Sequence, residues 1–80
     1  MDKQLFLEQI REQFEETTPE EITLQTVFKQ LEEWSSMHAL LIIALIDAEY
    51  NVSFTGEDLQ KCQTIEDIFT TVSSRMGGTT

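Results

Sequence analysis

The 80-residue sequence has few basic side chains, one cysteine, one proline, three glycines and no long apolar run. Five lysines and arginines stand against 15 acids, a formal net charge of −10. Binding to nucleic acid or to anionic lipid draws its affinity from lysine and arginine, so both are disfavoured, and partners with basic patches are expected instead. Cys62 alone rules out an internal disulfide and any multi-cysteine metal site, and fits a reducing, cytoplasmic compartment. The first eight residues mix charge with apolar groups where a signal peptide needs a basic start and a continuous apolar stretch, so no export is expected. The most apolar stretch, residues 37–46 broken only by His38, is about half the length that crosses a bilayer. It is expected to be a buried core helix, with no membrane insertion. A chain of this size buries only about 60–65% of its unfolded surface, which favours one simple core over a catalytic cleft. One domain over residues 1–80 is expected, monomeric because its charge repels itself.

Breakers occur only at Pro19, Gly56, Gly77 and Gly78. Over residues 2–16, Phe6, Leu7, Ile10 and Phe14 recur every three or four positions opposite Glu8, Arg11, Glu12 and Glu15, which predicts a first helix. Thr17-Thr18-Pro19-Glu20-Glu21 ends it, because proline disfavours helical backbone in the residue before it. Ile22, Leu24, Val27, Phe28, Leu31 and Trp34 fit neither a helical nor a strand period. They predict a long, packed connection with one helical turn within residues 27–31. Ser35-Ser36 then opens a second helix running to Tyr50, apolar nearly all round and so expected to be central, with Leu40, Ile43 and Ile46 at core spacing. Residues 51–54 turn the chain. Thr55-Gly56-Glu57-Asp58 has the Thr-x-x-acid form of a capping box and starts a short helix reaching about Lys61. Thr64-Ile65-Glu66-Asp67 repeats the device for a last helix carrying Ile65, Ile68, Phe69, Val72 and Met76. Gly77-Gly78 is its expected left-handed exit, and residues 77–80 an expected flexible tail. The fold class is all-α: a small four-helix bundle of three longer helices and one short one, with a long loop between the first two.

This layout, with a serine opening a central second helix, resembles the acyl carrier protein family over nearly the whole chain. The matching stretch runs from Trp34-Ser35-Ser36-Met37 to Glu49-Tyr50, and the two Thr-x-x-acid segments look like the starts of the family's third and fourth helices. The resemblance places Ser36 at the serine that carries 4′-phosphopantetheine, with Met37 in place of the family's leucine and Ser35 in place of its aspartate. It implies a non-enzymatic carrier of acyl thioesters in fatty-acid, polyketide or related biosynthesis. Its implied partners are a phosphopantetheinyl transferase and acyl-transfer or synthase enzymes with basic patches, and no metal is implied. A serine at a helix start suits an attached phosphate, because unpaired backbone N–H groups and the positive dipole end meet there.

Each singled-out residue also has a plainer role. Ser35 and Ser36 are ordinary helix caps, and the expectation is that one caps while Ser36 is modified. Trp34 is expected to pack against the first turns of the second helix as a staple. His38, two residues from Ser36, is poorly spaced for a catalytic dyad, and surface contact with a partner is the expected role. Met37, Leu41 and Asp47 complete the expected partner face, with core packing the alternative for the two apolar residues. Cys62 is expected to be a small, partly buried apolar group outside the thioester chemistry. The alternative reading is an unmodified helical interaction module that keeps the carrier architecture without its prosthetic group, and Ser35 in place of aspartate supports it.

Overall fold

A computed structural model describes residues 2–77 and contains four helices: α1 Lys3–Arg11, α2 Ser36–Tyr50, α3 Gly56–Lys61 and α4 Ile65–Gly77. Among the described residues no strand forms beyond a single antiparallel bridge between Val27 and Thr64. Gly77, expected to begin the exit and the tail, is the last residue of α4, and the rest of both expectations, residues 78–80, lies outside the described residues.

The first helix is shorter than its periodicity predicts. Asp2 caps it by accepting the N–H groups of Gln4 and Leu5. At the other end the N–H groups of Gln13 and Phe14 turn to the carbonyls three residues back, and those of Glu16 and Thr17 both donate to the Glu33 carboxylate. A distant acceptor thus replaces the next helical turn. Phe14 keeps its buried place without being helical.

The connection is ordered by the apolar groups noted above. Ile22 and Phe28 are buried, and a 3₁₀ turn at Phe28–Gln30 falls inside the expected turn. A second 3₁₀ turn at Pro19–Glu21, with proline at its start, was not expected. Loop carbonyls also complete α4, whose first N–H groups have no partner inside the helix. Leu24 O accepts Glu66 N–H at 2.9 Å and Thr26 O accepts Ile65 N–H at 3.3 Å.

Phe6, Leu7 and Ile10 from α1, Ile42 and Ile46 from α2, Leu59 from α3 and Ile65, Ile68 and Val72 from α4 meet in one core. Phe6 sits at the junction of three helices, its ring 5.7 Å from Tyr50 and 5.6 Å from Phe69. The Tyr50 hydroxyl donates to Gln9 Oε1 and ties α2 to α1. Asn51 closes α2 in the left-handed conformation.

The second helix is not enclosed as expected. Only Ile42 and Ile46 of α2 are buried, while Met37 and Leu40 are 67% and 68% exposed and Leu41 is exposed as well. Leu40, read as a core position, faces solvent. A pattern that is apolar all round cannot say which sides have neighbours, and three other helices of this length cover only one side of α2.

Both expected capping boxes are present. Asp58 accepts Thr55 N–H, Thr55 Oγ takes Asp58 N–H, and Asp67 and Thr64 repeat the exchange. Asp58 also receives both Nη groups of Arg75 at 2.7 Å, which joins α3 to α4. These bonds, Arg75 first and Thr55 N–H next, hold the Asp58 carboxyl well below the usual carboxylate range. Backbone N–H groups of Gln63 and Thr64 lower Asp67 in the same sense. Because both folded values lie below the unfolded value of about 4, their stabilisation is complete above that pH and is lost as pH falls through the folded values. Melting temperature is therefore expected to drop steeply below about pH 4. A pH series of circular-dichroism melts checks this, and Arg75→Gln should flatten the acid limb.

Cys62 follows α3, is 4% exposed, and has its sulfur 3.9 Å from Thr71 Oγ. Burial pushes its thiol up, against the hydrogen bond shared with Thr71. A buried thiol held protonated is a poor nucleophile. Iodoacetamide is expected to leave the native protein unlabelled and to modify Cys62 fully once urea unfolds it, with mass spectrometry as the readout.

Candidate functional site

The start of α2 is built by Ser35, whose extended backbone (φ −151°, ψ 173°) precedes the first helical residue, Ser36. Ser35 Oγ accepts His38 N–H at 3.4 Å, and Ser35 O accepts Ala39 N–H at 3.2 Å. Ser36 is exposed, and among the described residues nothing engages its hydroxyl. The N–H groups of Ser36 and Met37 likewise have no partner among the described residues. Ser35 is thus the cap, and among the described residues its neighbour's hydroxyl is free.

His38 borders the same groove as Met37 and Leu41 but is mostly covered. Its side chain is 13% exposed and its ring lies flat against Phe14, with centroids 4.8 Å apart and planes 18° apart. Trp34 closes the cluster, 5.0 Å from Phe28 and 6.3 Å from His38, so it packs on the first turn of α2 as a staple does. His38 Nε2 lies 3.3 Å from Glu33 Oε2, and Nδ1 lies 3.1 Å from Ser35 Oγ. The other oxygen of Glu33 accepts Glu16 N–H, Thr17 N–H and the Thr17 hydroxyl at 3.1, 2.9 and 2.7 Å. Burial alone would raise the Glu33 carboxyl, but these donors outweigh it and hold it below the usual range. The sequence offered Glu33 only as one acid among many. Its signal, a position two residues before the capping serine and five before the histidine, has meaning only once the backbone is placed.

Beyond Ser36 the exposed face of α2 continues as Met37, Leu40, Leu41 and Ala44, at the three- and four-residue spacing of one helical face, and reaches Asp47. On one flank Leu40, Ile43, Ala44 and Asp47 line a shallow groove with Val52 and Phe54. On the other, Met37 and Leu41 border a groove walled by Glu12, Glu15, Glu16 and Glu32. Of the residues picked from the sequence, Ser36, Met37, Leu41 and Asp47 thus share one exposed surface, and His38, mostly covered, lines the glutamate groove at its edge. Leu40 belongs to this surface and was missed, because its spacing was read as core.

The family model described as a phosphopantetheine attachment site matches residues 4–72, almost the whole of the region described above. The chain belongs to this family. Its members are not catalysts: they carry acyl groups on a covalently attached 4′-phosphopantetheine arm. Comparison with curated proteins and with solved structures gives no match. The residues present fit the family's prosthetic group. A phosphodiester needs a reachable hydroxyl and favours nearby N–H donors at the positive end of a helix, and the start of α2 offers both. When bound, the group supplies the thiol on which acyl thioesters form.

Proposed function

We propose that residues 1–80 form one discrete carrier domain that bears 4′-phosphopantetheine on Ser36 and passes acyl thioesters between enzymes of fatty-acid, polyketide or related assembly. The observation that carries this reading is the free, exposed hydroxyl of Ser36 on the first residue of α2, inside a phosphopantetheine attachment match. The phosphopantetheinyl transferase, and then the loading or synthase enzymes, meet Met37, Leu40, Leu41 and Asp47. A partner that approaches this face also meets the glutamate wall beside it, so its rim is basic. The unmodified-module alternative loses ground on the same observation, since among the described residues nothing engages the Ser36 hydroxyl. A monomer in the cytoplasm agrees with the charge of −10 and with a reduced, buried Cys62, and no described helix is long and apolar enough to cross a membrane.

The test is intact mass after incubation with coenzyme A, Mg²⁺ and a broad-specificity phosphopantetheinyl transferase, followed by peptide mapping. One phosphopantetheine, located on Ser36, is expected. No addition with several transferases would return the chain to the unmodified reading.

A further inference from the structure

Two adjacent hydroxyls stand at the start of α2, yet their surroundings treat them differently. Around Glu33, three donors converge on Oε1 and His38 Nε2 faces Oε2. An ionised carboxylate has only lone pairs to offer, so the contact at Oε2 requires the hydrogen to sit on Nε2. In the neutral imidazole that leaves Nδ1 as an acceptor, and the hydroxyl 3.1 Å from it is that of Ser35. Ser35 then donates its proton to Nδ1 and accepts His38 N–H with its oxygen. The ring cannot easily turn away, because it is stacked on Phe14 and almost covered. Among the described residues Ser36 has no such neighbour.

Building on the proposal that Ser36 is the attachment site, we propose that His38, oriented by Glu33, is the positioning residue that withholds the Ser35 hydroxyl and so leaves Ser36 as the serine of the pair open to phosphopantetheinylation. In the transfer, the serine Oγ–P bond forms as a P–O bond of the coenzyme A pyrophosphate breaks. Adenosine 3′,5′-bisphosphate leaves, and the hydroxyl proton passes to a base of the transferase. A serine whose proton is bonded to Nδ1 and whose oxygen caps the helix is not presented for that step. His38 acts through Ser35 and touches neither cofactor nor cargo.

The chain Glu33–His38–Ser35 also has the connectivity of an orienting acid, a base and a nucleophile. The two uses differ in outcome: a masked serine ignores a fluorophosphonate probe, and an activated one is labelled.

The test compares wild type, Ser36→Ala, Ser36→Ala/His38→Phe and Ser36→Ala/His38→Asn in the transferase assay, with the modified residue mapped by tandem mass spectrometry. Phe keeps the stack on Phe14 but removes Nδ1, whereas Asn can restore an acceptor near its place. Ser36→Ala is expected to take no cofactor, the Phe double variant to load Ser35 at least tenfold faster, and the Asn double variant to fall silent again. A long-range ¹⁵N–¹H correlation on the wild type should show the hydrogen of neutral His38 on Nε2, and the fluorophosphonate should leave Ser35 unlabelled. Loading of Ser35 in the single variant overturns the inference, as does a silent Phe double variant with a wild-type melt, a hydrogen on Nδ1, or labelling of Ser35. If the wild type itself takes no cofactor, the carrier reading fails, and the tautomer and the probe still decide whether Ser35 is masked.

Discussion

Ser36→Ala is expected to abolish cofactor loading while leaving the melting transition where it was. The hydroxyl is the only group lost, it faces solvent, and among the described residues nothing bonds to it, so the cost in stability should stay within about 0.5 kcal/mol. Ser35→Ala gives the opposite pattern. It removes the cap of α2 and its bond with His38, at a cost of about 1 kcal/mol, yet leaves the Ser36 hydroxyl in place. Intact mass and urea denaturation on the two variants separate the roles. Loading that persists in Ser36→Ala, mapped elsewhere on the chain, would sink the assignment.

The largest effect on folding is expected at Phe6. Its ring is fully buried and touches aromatic partners on α2 and α4, so Phe6→Ala opens a cavity where three helices join. Such truncations cost about 3–5 kcal/mol. A domain of this size has roughly 4–12 kcal/mol in total, at about 0.05–0.15 kcal/mol per residue. The variant should therefore be marginal or largely unfolded at room temperature, visible as a collapse of the urea midpoint. Leu5→Ala, one residue away on the exposed side of α1, is the control and should shift stability by about 0.5 kcal/mol or less. A shift below about 1 kcal/mol for Phe6→Ala would show that the three helices do not close on that ring.

Local signals in the sequence sufficed where the physics is local. The two Thr-x-x-acid boxes that start α3 and α4 are complete within four residues, and both appear as expected. The same holds for the start of α2, where a cap must lie just before the apolar run. The end of α1 was illegible because its competitor is remote: Glu33 takes the N–H groups of Glu16 and Thr17 from across the loop. Leu40 was misjudged for a related reason. Periodicity reports that α2 is apolar, not which of its sides the other helices reach. The face beside Ser36 is open, while the histidine beside it is folded inward on Phe14. The bond that ties up the Ser35 hydroxyl depends on the placement of that one ring.

The seclusion of Cys62 gives the loaded protein a single working thiol. A thioester on the arm has no accessible cysteine within its own domain to receive the acyl group, so cargo cannot leak by sulfur-to-sulfur exchange within the carrier. The same isolation makes the native chain a clean reporter of its own loading. Any thiol-reactive dye that sticks without denaturant marks the arm, and the ratio of dye to protein reads the fraction converted from apo to holo without engineering a residue.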